Sequence, residues 1–180
     1  MEHTVEPLSD HLGAEIKGLN LQDAMDDKTL HKLKSAFNNH SVLLFRDQHL
    51  LPDQQISFSR HFGPLEIHVS RKYLLQGYPE ILVLSNEKNP DGSRVSIADG
   101  GTGWHSDLSY MERPAMASLL YAVKTPNTPG KAQDTAWASG YRAYETLPAK
   151  LKKSVEGLKG IHLFDQDQNP RMPPIDTKYR

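Results

Sequence analysis

His105 and Asp107 stand two residues apart in "GTGWHSDLSY" (101–110), in a chain of 180 residues that contains no cysteine. An imidazole nitrogen and a carboxylate oxygen are two donors of a mixed N/O metal site. A second His would complete the facial set that leaves three positions open on Fe(II). In an extended segment residues i and i+2 point to one side, so both side chains could reach one ion. Yet with nine His and 13 Asp in the chain, chance alone supplies about 0.65 of one His-x-Asp pair. Taken by itself, the pair favours a loop histidine beside a solvated aspartate.

The composition narrows what such a pair could be. Without Cys there are no disulfides, thiolate zinc sites, iron–sulfur clusters or Cys nucleophiles, so any metal is left to His, carboxylates, backbone or water. A net charge of −1 with mixed signs shows no basic face for nucleic acid. The start, "MEHTVEPLSDHLGAEI", has no apolar signal region, and no apolar run is long enough to span a bilayer. The expectation is a cytoplasmic protein with neither nucleic acid nor membrane as partner. "GGTG" (100–103) precedes a presumed strand with no Lys-Ser/Thr after it, which argues against a phosphate cradle. No G-x-S-x-G context for serine hydrolase chemistry occurs.

The length suits one domain, and several short elements are legible in it. "GAEIKGLNL" (13–21) reads as a strand and turn. In "DDKTLHKLKSAFNNH" (26–40) Leu30, Leu33 and Phe37 share a helical face, with Asp26 or Asp27 as N-cap. "SVLLFR" (41–46) predicts a buried strand, and "LPDQQISFSRHFG" (51–63) a helix from Pro52 to Gly63. Further strands are predicted at 80–86, 117–126, 134–138 and 160–164, with one or two helices over 139–158. The Pro-rich tail shows no pattern. Short strands without regularly alternating helices point to an α+β, mainly β chain, a β-sandwich or jelly roll with helices outside.

Five blocks in order carry more information than the lone pair. "HSVLLFRDQHLLPDQQISFSRHFGPLEIH" (40–68), "GYPEILVLSNE" (77–87), "WHSDLSYMERPAMASLLYA" (104–122), "DTAWASGYRAYETLP" (134–148) and "LKKSVEGLKGIH" (151–162) resemble successive blocks of the taurine dioxygenase family. These are Fe(II)- and 2-oxoglutarate-dependent dioxygenases. The resemblance implies a double-stranded β-helix (a jelly roll) with flanking helices, of which 1–180 would be the N-terminal part of a single catalytic domain. It implies Fe(II) as cofactor, with 2-oxoglutarate and O2 as cosubstrates.

By the same resemblance His105 and Asp107 match two iron ligands, and Thr135 matches the threonine that hydrogen-bonds 2-oxoglutarate. His68 falls where taurine dioxygenase uses a histidine on its sulfonate, and Leu108 falls at a residue lining the substrate pocket. The implied reaction hydroxylates a carbon next to a heteroatom in a small organic acid, a sulfonate, sulfate ester or aryloxyalkanoate, releasing succinate and CO2. Family members associate, so a homo-oligomer is compatible with the resemblance.

Two departures speak against taurine itself: Arg71 stands at a tyrosine position, and "GGTGW" lacks an asparagine found there. The resemblance also implies a third ligand, a His, and an arginine for 2-oxoglutarate, both well over a hundred residues beyond the His-x-Asp. Of 180 residues only 75 follow His105, which leads to the expectation of a fold incomplete at its C-terminus. Two further readings stand beside the dioxygenase. One is a truncated, inactive family member that only binds or supports. The other is a cupin-like metal enzyme with His162 as third ligand.

Overall fold

Asp26 shows how local chemistry sets the first long element. A computed structural model of the chain describes residues 3–97, 103–125 and 135–162. Helix α1 spans Asp27–His40, and the Asp26 side chain accepts the Thr29 N–H at 2.7 Å. That bond satisfies one of the donors a helix start leaves over. The same bond holds the Asp26 carboxyl below the usual carboxylate range. At the other end Ser41 takes a left-handed φ of 61° and donates its N–H to the Phe37 carbonyl, turning the chain into the next strand.

Strands β1 (Thr4–Pro7) and β2 (Ala14–Lys17) pair antiparallel, and β3 (Leu43–Leu44) adds parallel to β2. Gly13, at φ 84°, directs its N–H to the His40 carbonyl at 2.8 Å, and Ala14 N–H reaches Val42 at 2.9 Å. A positive φ there suits glycine because no Cβ crowds the carbonyl. The unit β2–α1–β3 is thus a crossover, and the helix lies against the sheet it bridges.

Helix α2 (Pro52–Arg60) starts with proline inside its first turn, as its sequence predicts. The Gln54 side chain accepts the Leu51 N–H at 2.8 Å. Buried Ile16, Leu21, Leu33, Ala36 and Phe58 form one cluster between the sheet and the two helices. Edge-to-face rings extend it, with Phe45–Phe58 at 5.7 Å, Phe58–Phe62 at 5.6 Å and Phe37–Phe62 at 6.2 Å. Such pairs add about 0.5–1.5 kcal/mol each beyond buried area.

A 3-10 turn at Arg71–Tyr73 leads into a hairpin of β4 (Leu74–Leu75) and β5 (Tyr78–Leu82). Arg60 on α2 pairs with Glu80 at 3.1 Å, which ties the hairpin to the helix. Two short helices, α3 (Gly140–Glu145) and α4 (Ala149–Val155), come later, split at Pro148. Helices and two small sheets agree with the α+β part of the expectation.

Several predicted strands differ. The segment 117–125 runs without regular structure, as do 135–138 and 160–162, whereas 126, 134, 163 and 164 lie outside the described residues. β-branched and apolar content marks a chain fit for a sheet, but a strand exists only with a partner for its N–H and C=O groups. Among the described residues none of these segments has one. The expected strand at 80–86 begins earlier, at Tyr78, and Leu84 instead bridges Ile97. The polar tail beyond 162 also falls outside.

Candidate functional site

His105 and Asp107 converge just ahead of a turn. Residues 107–110 form a turn, and Leu108 adopts φ 53° with its carbonyl accepting the Met111 N–H at 2.9 Å. A left-handed conformation costs a branched residue such as leucine roughly 1–2 kcal/mol. Strained backbone of this kind clusters where side chains are being aimed. His105 Nε2 lies 3.1 Å from Asp107 Oδ1. The convergence expected of residues i and i+2 is present, and the chain turns immediately after it.

Both ring nitrogens of His105 are accounted for. Nδ1 lies 2.8 Å from the Gly103 carbonyl, which can only accept, so Nδ1 carries a proton and donates. A carboxylate only accepts, so the bond to Asp107 Oδ1 is donated by Nε2 of the doubly protonated ring. The Gly103 carbonyl, and after it the Asp107 charge, raise the His105 pKa above the ordinary histidine value. The pair is open to solvent, 54% and 55% exposed, and ion pairs so exposed contribute about 0–1 kcal/mol. Folding stability gives no reason for this arrangement.

Metal chemistry does supply one. The 3.1 Å between Nε2 and Oδ1 is a hydrogen-bond distance, and a metal ion that replaced the shared proton would meet one nitrogen and one oxygen donor side by side. An Nδ1–H tied to a backbone carbonyl leaves Nε2 as the metal-facing atom, a usual arrangement for ligating histidines. The two donors present therefore fit an N/O metal site as two of its corners. Among the described residues no third His, Cys, Asp or Glu joins them. His162 is exposed and its ring sits over Gly160, 3.3 Å from where a Cβ would be. It does not complete the cluster, so the cupin-like reading finds no support.

A residue that sequence reasoning missed holds the other side of the carboxylate. Ser118 donates its hydroxyl to Asp107 Oδ2 at 2.5 Å. Nothing in the spacing marks it, because the contact closes over eleven residues that take no regular structure. The segment bearing it is fastened to the core. Leu119 packs on the buried cluster. Tyr121 Oη accepts the Leu50 N–H at 3.0 Å and donates to the Gln48 carbonyl at 3.2 Å.

The remaining sequence candidates lie apart in role. Half-buried His68 accepts the Ser70 N–H on Nδ1 at 3.0 Å, which puts its ring proton on Nε2. Half-buried Leu108 follows Asp107 in the turn. Thr135 is exposed, and no hydrogen bond joins it to His105 or Asp107 among the described residues. No helix among the described residues is long and apolar enough to cross a membrane.

Comparison with known proteins decides the kinship. The family model "Taurine catabolism dioxygenase TauD, TfdA family" matches residues 4–180. The chain belongs to that family. Among TauD/TfdA relatives, the (S)-phenoxypropionate/alpha-ketoglutarate-dioxygenase of Sphingobium herbicidovorans is 33% identical over 174 residues, covering 92% of this chain and 55% of that protein. The alpha-ketoglutarate-dependent sulfate ester dioxygenase of Pseudomonas putida is 31% identical, covering 98% and 54%. A crystal structure described as an alpha-ketoglutarate-dependent taurine dioxygenase from Burkholderia xenovorans superimposes with a TM-score of 0.74 at 33% identity, covering 91% and 55%. The chain thus spans about half the length of these relatives. TauD/TfdA dioxygenases use Fe(II), 2-oxoglutarate and O2. These relatives carry enzyme names, and none supports a member that only binds or supports.

Proposed function

We propose that the chain supplies two iron ligands, His105 and Asp107, to a dioxygenase that hydroxylates a small organic acid. One observation carries the proposal: Nε2 and Oδ1 face one another at 3.1 Å, with the other imidazole nitrogen tied off by Gly103. Bound iron(II) would supply the activation of O2 with 2-oxoglutarate, ending in succinate and CO2. The jelly roll of the complete catalytic domain, of which this chain is the N-terminal part, belongs to the same proposal.

The protein's own residues then orient and exclude. His105 and Asp107 would hold the metal through one nitrogen and one oxygen. His68 presents an Nε2–H, a donor suited to a sulfonate, sulfate or carboxylate oxygen. Leu108, beside the metal aspartate, is the apolar wall against which the carbon skeleton packs, and it keeps water from the reacting carbon. Thr135 is assigned to the distal carboxylate of 2-oxoglutarate. The substrate is a phenoxyalkanoate, a sulfate ester or a sulfonate, a choice supported by the names of relatives near 30% identity.

Fe(II)-dependent conversion of 2-oxoglutarate to succinate, measured with each of the three substrate classes, tests this. Succinate should form with one class and vanish in His105→Ala. Full turnover in His105→Ala would overturn the assignment.

A further inference from the structure

The Asp107 carboxylate has two oxygens, and the structure treats them differently. Oδ1 faces His105 Nε2 at 3.1 Å, whereas Oδ2 accepts the Ser118 hydroxyl at 2.5 Å. A free carboxylate beside a cation can bind through one oxygen or chelate through both. Chelation would occupy an additional corner and close a position that a facial N/O site keeps open. It would also rotate the carboxyl plane away from His105. A short hydroxyl bond to one oxygen bears on both matters, because it occupies a lone pair of that oxygen, which disfavours chelation, and fixes the plane.

We infer that Ser118 is a positioning residue for the metal site, holding Asp107 as a one-oxygen ligand with Oδ1 turned toward His105. This deepens the proposed function and rests on it, since it takes His105 and Asp107 as ligands. The support behind Ser118 makes the role physically effective. Leu119, the next residue, packs on the buried cluster, and Tyr121 is bonded at both Gln48 and Leu50. The hydroxyl is therefore presented from a segment anchored to the core, while Asp107 itself sits in an open turn. Second partners of this kind, when removed, cost metal sites about 10–100-fold in affinity.

The test uses Co(II) as probe on the 180-residue chain, with its Kd from titration and its visible ligand-field bands. Ser118 is exposed, so Ser118→Ala should unfold at the same midpoint as the unaltered protein. It should bind Co(II) about tenfold more weakly, with altered band intensities as the second carboxylate oxygen enters the coordination sphere. Ser118→Thr, which keeps the hydroxyl, should recover most of the affinity and the original bands. Unchanged affinity in Ser118→Ala, or equal losses in the Ala and Thr variants, would overturn the role of the hydroxyl. His105→Ala separates this from the underlying reading. If it binds Co(II) as the unaltered protein does, the ligand assignment itself fails. If it loses binding while Ser118→Ala does not, only the positioning role fails.

Discussion

Residues 3–62 differ from residues 103–125 and 135–162 in what they do with apolar side chains. Every buried hydrophobic among the described residues, Ala14, Ile16, Leu21, Leu33, Ala36, Ile56 and Phe58, lies in the first region. The second exposes Trp104, Leu120, Tyr141 and Leu158, and Val123 is 85% open. The chemistry-bearing pair sits in the open region. The contrast teaches that the core and the site are separate layers of the molecule, joined through Leu119 and Tyr121.

Truncation should expose that contrast most strongly. Leu33→Ala removes a fully buried side chain and should cost about 2–5 kcal/mol. Leu158→Ala, on the exposed side, should stay within about 0.5 kcal/mol. Urea unfolding of both variants measures the difference, and equal losses would erase the division.

The same division explains which features were legible in the sequence. A cap at Asp26 or Asp27, Pro52 as helix start and the apolar face through Leu33 all depend on neighbours within a turn or two, so pattern alone located them to within a residue. The segment 117–125 has the composition of a strand, but a ladder depends on a partner elsewhere, and no local pattern supplies one. His105 and Asp107 were visible as residue types, and the ordered family blocks, not their spacing, raised them above chance. Ser118 left no signal, because its contact with Asp107 depends on how an irregular segment returns.

Breaking the join should have an intermediate effect. Tyr121→Phe deletes the hydroxyl that links Leu50 and Gln48, at a cost of about 1 kcal/mol. It should also loosen the segment carrying Ser118, so Co(II) affinity should fall although no ligand is touched. Affinity left intact, with stability reduced, would show that the two layers are uncoupled.

Acidity separates the two regions more gently. The His105 pKa is raised by the Gly103 carbonyl first and by the Asp107 charge. Its contribution to stability is present below the unfolded value and lost as pH rises through the folded one. Metal requires Nε2 without a proton, so Co(II) affinity should run the opposite way, falling as pH drops through that raised pKa. Titration from pH 8 to 5 by calorimetry measures it, and a flat profile would contradict the assignment. Asp26 in the core region behaves inversely. Its pKa is lowered by the Thr29 N–H, so its support is present above the unfolded carboxylate value and lost as pH falls through the folded one. Asp26→Ala should flatten the acid side of the stability profile, the smallest of these effects, read by thermal melts between pH 5 and 2.

The most direct measurement follows the histidine resonances during addition of Mn(II), whose unpaired electrons broaden nearby nuclei. Broadening should begin at His105 and the neighbouring 107–110 turn, and His105→Ala should abolish it. Broadening that begins instead at His3, His31 and His40, which line a separate recess of about 430 Å³ against α1, would contradict the site. So would broadening that survives in His105→Ala.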